Sequence, residues 1–406
     1  MQGDQRFVIS GAMMIDGIRD VAVEDEVVVV EEGRVSAVGR ADSPGVRPLL
    51  QGAKILDGGG MTLLPGLIDC HVHLCMRGVY GPALVLEPPG TTALNAAFNA
   101  QRQLIHGVTT VRDVGGQHFV DIALRDAIAG GDIVGPRVIA SGHYIAMTGG
   151  HGYLTARQAD GVAEVTKATR EQIRAGADWI KLMASGGQLR RDENPTDPEL
   201  SAEELRAAIT EARNHNKPVA VHEHGSTNLL QTLLAGVSTV EHGTYLSDEV
   251  IAVMAERGIA LCPTFLPYSL QANNTSGRQP PWRVARAKKL WEDKLANFQR
   301  ALQGGVRVVA GSDSCLTVSH GEGVREIAWL AEAGMTPIEA IKAATSVAAD
   351  VLLLGDVIGR IKEGLAADLI LVKGNPLEDL STLASPPHMV MQAGRVLTWD
   401  DWTDML

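Results

Sequence analysis

Short runs of alternating apolar residues open the chain. Arg6 to Ser10, Glu26 to Glu31 and Arg34 to Val38 read as strands, separated by the turn signals Asp16-Gly17 and Glu32-Gly33. The same texture returns at the other end in Asp368 to Lys373 and Met389 to Thr398, punctuated by Gly364, Gly374-Asn375-Pro376 and Gly394. Two β-rich ends around a different middle predict one small β-sandwich domain built from both termini, residues 1–60 with 356–406.

Between them, strand-period and helix-period segments alternate, the pattern of a parallel sheet wrapped by helices. Eight strands are expected: Leu63 to Cys70, Val108 to Arg112, Arg137 to Ser141, Asp178 to Met183, Pro218 to Val221, Ser238 to Glu241, Ala260 to Pro263 and Arg307 to Ala310. Amphipathic runs separate them. One is Ser201 to Asn214, which Ser201 and Glu204 open as a capping box. Eight strands with intervening helices match an α/β, TIM-like (β/α)8 barrel over residues 61–355. A doubly wound open sheet is the alternative, but no Gly-rich dinucleotide fingerprint follows an early strand.

At 406 residues with 45% hydrophobic and 21% charged positions, the chain can bury a large core, which excludes a disordered or fibrous protein. A net charge of −12 argues against a nucleic-acid partner, since phosphate is bound through Lys and Arg. Small molecules fit better. The four cysteines, Cys70, Cys75, Cys262 and Cys315, are too scattered for a disulfide scaffold, which fits a reducing compartment. The first residues show no signal-peptide pattern, and no apolar run reaches the ~18 residues of a membrane span. A cytoplasmic enzyme with no membrane partner is expected.

The chemistry-bearing residues fall at predicted strand ends. His71 and His73 stand two apart in Leu-Pro-Gly-Leu-Ile-Asp-Cys-His-Val-His, so a strand puts both imidazoles on one face, as chelation requires. Lys181 interrupts an apolar run, His222 ends Pro-Val-Ala-Val-His, His242 ends Ser-Thr-Val-Glu-His, and Asp313 follows Val-Val-Ala-Gly-Ser. Barrel enzymes place catalytic groups at the C-terminal ends of strands. Any one of these residues could be a satisfied core group; all of them together at strand ends point to a metal site.

The order His-x-His, Lys, His, His, Asp resembles the binuclear metal-dependent amidohydrolases. Pro65-Gly-Leu-Ile-Asp, Met147-Thr-Gly-Gly-His-Gly, Ser185-Gly-Gly, Val240-Glu-His-Gly, Gly311-Ser-Asp-Ser and Gly364-Leu-Ala-Ala-Asp-Leu-Ile-Leu-Val are similar to the imidazolonepropionase-like branch, which includes Xaa-Pro dipeptidases, arginine and lysine carboxypeptidases and ochratoxin-type amidases. The resemblance implies two divalent metals, expected to be zinc. His71, His73 and Asp313 would hold the more buried one and His222 and His242 the more exposed one. Lys181 would bridge them as an N6-carboxylated lysine, because an ammonium offers no lone pair and a carbamate offers two anionic oxygens.

It further implies a shared, metal-activated water as nucleophile, with Asp313 taking its proton and passing it to the leaving amine. His151 and His224 would contact the carbonyl or carboxylate of the substrate. His143, Tyr144 and His320 are weaker candidates for the same pocket, while His106, His118 and His215 read as surface residues, and Ser312 and Ser314 as turn residues. The expected reaction is release of a C-terminal amino acid from a dipeptide or N-acyl amino acid, ochratoxin-like aryl amides included, by a homo-oligomer. His222-Glu-His-Gly departs from the His-x-Tyr form associated with some Xaa-Pro dipeptidases and puts proline specificity in doubt. A cyclic-amide hydrolase or deaminase of the same superfamily, an aryl-amide or carbamate hydrolase, and a noncatalytic metal-binding scaffold are the alternatives. Specificity is expected in the loops Met76 to Pro89 and Ser185 to Pro198.

Overall fold

The computed structural model describes residues 6–76, 87–277 and 279–397. Thr398, the last residue of one expected strand, and most of the Met76 to Pro89 loop lie outside them.

The apolar run expected as one strand from Leu63 to Cys70 is two strands, Met61–Pro65 and Leu67–Val72, which belong to different sheets. The break falls at Gly66. There the backbone passes so close to Thr109 that a Cβ would lie 2.1 Å from its Oγ1. Only glycine lets the chain switch sheets at this point.

Met61–Pro65 pairs antiparallel with Leu369–Lys373, in register from Pro65 with Leu369 to Met61 with Lys373. That five-stranded sheet continues through Met389–Gln392 and Arg395–Leu397 on one side and Met13–Met14 on the other, so it draws on both ends of the described chain. The expected strand from Met389 is folded into a hairpin, which turns at Ala393 and Gly394, both with positive φ. A four-stranded sheet orders Arg34–Gly39, Val27–Glu31, Phe7–Ser10 and Lys54–Asp57. Apolar side chains from the facing sheets meet in one cluster that includes Ile9, Val28, Val30, Leu63, Leu369 and Met391.

The middle of the chain is α/β, with its long strands parallel. Leu67–Val72, Val108–Asp113 and Arg137–Ala140 form one parallel sheet. Ile180–Met183, Val219–Glu223, Thr239–His242 and Ala260–Cys262 are consecutive parallel neighbours in another. Asp178 N donates to Ala140 O at 2.8 Å, linking the two. Helices run between the strands. Ala202–Asn214, for example, starts at the expected capping box, with the Ser201 side chain accepting from Glu204 N and the Glu204 side chain from Ser201 N. It buries Leu205, Ala208, Ile209 and Ala212, the i, i+3, i+4, i+7 stripe of a helix laid on a sheet.

The eighth expected strand, Arg307 to Ala310, forms bridges without a continuous ladder. Leu261 N donates to Arg307 O (2.8 Å) and Val309 N to Leu261 O (3.0 Å). On its other side Cys70 N donates to Ala310 O (2.9 Å) and Asp313 N to His71 O (2.8 Å). Two features interrupt the ladder: Ala310 N turns away to Ala343 O, and Asp313 is in the left-handed region at φ 50°. No helix among the described residues is long and apolar enough to cross a membrane.

Gly66→Ala tests the junction. Its Cβ has to displace Thr109, whose Cβ would lie 2.8 Å away, so a loss of about 1–3 kcal/mol is expected in chemical denaturation. Adding Thr109→Ala should restore only part, because the Cβ that alanine keeps at position 109 still closes on the same space.

Candidate metal centre

Leu67–Val72 carries His71 and ends beside His73. Their Nε2 atoms both lie 3.6 Å from Asp313 Oδ1, and the three residues present ligand atoms all within 4.8 Å of one another. The ladder from Met183 to His222 and from Glu223 to His242 brings the next strand ends alongside. His222 and His242 rings are 4.5 Å apart between centroids, and His71 and His242 rings 5.2 Å. Lys181 is 1% exposed, and its Nζ has no hydrogen-bond partner among the described residues. The six expected ligands therefore converge on one place.

The imidazoles are aimed from behind. His71 Nδ1 bonds Glu241 Oε2 at 2.8 Å, His73 Nδ1 donates to Gly115 O at 2.7 Å, and His242 Nδ1 meets Thr264 Oγ1 at 2.7 Å. Each such bond fixes which ring nitrogen faces inward, the usual support for a histidine ligand. Burial is the main reason that all four rings are held neutral, His73 down to about 4 and His222 and His242 well below the usual value. Neutral rings keep a lone pair at physiological pH. Burial also pulls Lys181 down to about 8, against the opposing attraction of Glu241.

Behind the centre, Arg112 donates to Glu241 Oε1 (2.8 Å), Thr239 Oγ1 (2.9 Å) and Cys70 O (2.6 Å), with its guanidinium 4.6 Å from the Trp179 ring. Glu241 also approaches His71 and Cys262 as a second potential ligand group. Glu241 is already committed to Arg112 and His71, bonds by which it orients the His71 ring, and burial pushes the Cys262 thiol well above its usual range. Asp69 accepts from Ser312 N (2.9 Å) and the Ser312 hydroxyl, fixing the turn that presents Asp313. Ser312 and Ser314 bond each other at 2.6 Å, as turn residues do. His242, Thr264 and Asp313 all adopt positive φ, at 73°, 51° and 50°. Strained backbone gathered at one place is a mark of a working site.

His151 and His224 reach the same centre. The His151 ring stacks on His222 at 4.3 Å, and the His224 ring on His242 at 5.1 Å. His224 bonds Thr244 Oγ1 at 2.7 Å and the Tyr268 hydroxyl at 3.2 Å. His151 Nδ1 bonds Glu193 Oε1 at 2.5 Å, and its backbone N–H donates to Glu199. A cleft of about 60 Å³ opens here among His151, His222, His224, His242, Asp313 and Tyr268. A larger cleft of about 820 Å³ lies among the terminal strands, with Met13, Glu24 and Arg40 in its walls, away from this chemistry.

Of the weaker candidates, Tyr144 reaches the centre: its ring meets that of His73 edge-on, 6.1 Å between centroids, with its hydroxyl turned to Gly152 O. His320 bonds Met76 O and approaches Gln103, and His143 packs on Phe119. His106 and His215 cap their own helices. The sequence reading passed over Arg112, Glu241, Glu193, Tyr268 and Arg283. Arg112 and Glu241 carried a signal, being charges inside apolar strands; Arg283 carried none.

A model of the amidohydrolase family matches residues 62–397. The chain belongs to the amidohydrolase family. It is 34% identical over 360 residues to the ochratoxinase of Aspergillus niger, covering 80% of this chain and 73% of that one. The crystal structure of A. niger ochratoxinase superposes with a TM-score of 0.87, 30% identity and coverage of 97% and 96%. A Xaa-Pro dipeptidase with bound methionine in the active site superposes with a TM-score of 0.88, 30% identity and coverage of 97% and 100%. Imidazolonepropionase of Rhizobium rhizogenes is 24% identical over 287 residues, 65% of this chain and 69% of that one. As a member of this family the chain is a hydrolase, and its relatives place it in the imidazolonepropionase-like branch with the ochratoxinase and the dipeptidases.

Glu199 supplies a pH test. Burial raises its carboxyl from 4.5 to about 7, so the stability of its neutral form is full below the usual carboxylate range and is lost as pH rises through about 7. Glu199→Gln stays neutral throughout. The wild-type Tm should therefore fall relative to the variant between about pH 5 and 8, and parallel curves would acquit Glu199.

Proposed function

We propose that the chain is a binuclear metal-dependent hydrolase that cleaves an amide bond and releases a C-terminal amino acid from a dipeptide or N-acyl amino acid, aryl amides included. The observation that carries this reading is Lys181: a lysine nitrogen buried without a partner amid four histidines and Asp313. An unpaired buried ammonium costs several kcal/mol. Carboxylated by carbon dioxide, the same side chain becomes an anion with two oxygens to offer. The donor set then suits two divalent metals, zinc in our reading: His71, His73 and Asp313 would hold one, His222 and His242 would hold the other, and the carboxylated Lys181 would serve both.

When bound, such metals supply an activated water and a Lewis acid for the substrate carbonyl. In this reading Asp313 accepts the proton of the attacking water and returns it to the leaving amine. His151 and His224 stand where the acyl group would lie and orient it. Glu193 keeps the His151 ring in place, itself held near 2: burial opposes its charge, but the bond from His151 and the N–H groups of Gly187 and Arg190 outweigh it. In this reading the two ends of the chain, 1–60 and 356–406, form a composite β-domain, and 61–355 a (β/α)8 barrel with the centre at its C-terminal mouth. A homo-oligomer in the cytoplasm, acting on small molecules, completes the proposal. The ochratoxinase and the dipeptidase support it by likeness, and the imidazolonepropionase keeps cyclic amides as the second substrate class to be screened.

Metal content is the direct test. Protein grown with zinc should carry about two metals per chain, and Lys181→Ala should lose much of both metal and activity, with bicarbonate or a short carboxylic acid restoring part. A Lys181→Ala protein with normal metal and normal rate would rule out the bridging role.

Asp313→Asn keeps the shape and removes the base. Its kcat should fall by roughly two orders of magnitude or more, with metal measured in the same sample. Full metal with unchanged turnover would exclude Asp313 as the proton carrier.

A further inference from the structure

One wall of the cleft contains a cation that the metal centre does not use. Arg283 lies in the first turn of the helix Pro281–Gln303 and lines the cleft together with Tyr268, Gln271 and Gln188. Its Nε is buried and has no hydrogen-bond partner, and the guanidinium forms no ion pair among the described residues. Arg286, one turn on, shows what an engaged arginine does in this helix: it donates to the carbonyls of Arg190, Arg191 and Glu193. Glu193, an acid near enough to act on Arg283, is already committed to His151 and to the N–H groups of Gly187, Leu189 and Arg190.

A guanidinium cannot shed its charge, and it presents a planar fork of donors that matches a carboxylate. Leaving it half-buried beside a cavity is costly unless a ligand completes it. His151 and His224 are poorer partners for an anion: both rings already bond protein groups and stack on other histidines. The side-chain carbonyls of Gln188 and Gln271 also lack donors on the same wall, where substrate N–H groups could meet them.

We propose that Arg283 is the carboxylate-recognition residue of the cleft, receiving the terminal carboxylate of the amino-acid portion of the substrate while the scissile carbonyl lies against the histidine cluster. The inference rests on the amide-hydrolase reading of that cluster and narrows the substrate to acyl compounds with a free carboxylate on the leaving side.

The test uses the metal-loaded full chain, a panel of N-benzoyl amino acids, and the same compounds with the terminal carboxylate amidated. Arg283→Gln should lower kcat/KM for the acids by roughly 10- to 100-fold and leave the amides within about twofold. Arg283→Lys, which keeps the charge without the fork, should fall between, with metal content unchanged in both. His151→Ala and His224→Ala should slow acids and amides alike. Equal losses on acid and amide in Arg283→Gln overturn the assignment and leave the amidase reading standing, as does an acid-specific loss that follows His151 or His224 instead. If nothing in the panel is cleaved, the amidase reading falls, and calorimetry of the same benzoyl amino acids decides Arg283 separately. Binding at least tenfold weaker to Arg283→Gln than to wild type upholds it; equal binding overturns it.

Discussion

The ion pair between Arg112 and Glu241 is the contact on which the site depends. Both side chains are fully buried, and they tie the strand of Arg112, Val108–Asp113, to two others: Arg112 holds Cys70 O in Leu67–Val72 and Thr239 Oγ1 in Thr239–His242, and Glu241 of that last strand holds His71. Removing one partner of such a pair leaves an uncompensated charge in the core and costs about 3–5 kcal/mol, whereas two apolar residues of equal volume could do as well for stability alone. The arginine lies over the flat surface of Trp179, with the thiols of Cys70 and Cys262 among its neighbours. What the pair adds is direction. It fixes the ring of His71 and charges the carboxylate behind it.

From that anchor outward, the centre is built by groups whose partners are the protein backbone or short hydroxyls. Gly115 O, Thr264 and Thr244 each hold one imidazole, and Asp69 holds the turn before Asp313. Positive φ at His242, Thr264 and Asp313 costs on the order of 1–3 kcal/mol each, and the surrounding hydrogen bonds have to impose it. Lys294 contributes from the far side: its Nζ reaches His242 O at 2.6 Å, directly behind a ring of the cluster. A site so constrained is prepared in advance of its ligands, which is how binding residues are kept within the small tolerances that catalysis demands.

The outer wall follows a different logic. The loop from Ser185 to Pro198 has no regular structure, yet it is pinned by Glu193, by the bridge of Ser185 with Pro198, and by Arg286 reaching across from a distant helix. At Gly187 a side chain would strike the His151 ring at 2.2 Å, so the loop and the ring occupy adjoining space only because that residue has no Cβ. The pole that carries the candidate ligands thus belongs to strands, and the wall of the cleft opposite them to loops and one helix.

That division explains what was legible. Strand ends can be read from periodicity, and with them the candidate ligands His71, His73, His222, His242 and Asp313, because a polar residue that closes an apolar run marks the end of the strand; Lys181 stood out differently, as a cation inside the apolar strand Ile180–Met183. The alternation of strand and helix in the middle and the β-rich ends were visible for the same reason: each reflects a repeat within a few residues. Local pattern could not tell that Leu63 to Cys70 divides at Gly66, since the cause is Thr109, far along the chain. Nor could it foresee that Arg307 to Ala310 bonds to neighbours without a regular ladder, because Ala343 takes one of its amides. Arg283 was invisible for the plainest reason. In sequence it is one arginine among several in a polar helix, and only the packing of that helix against the cleft leaves its guanidinium half-buried, charged and without an ion pair among the described residues.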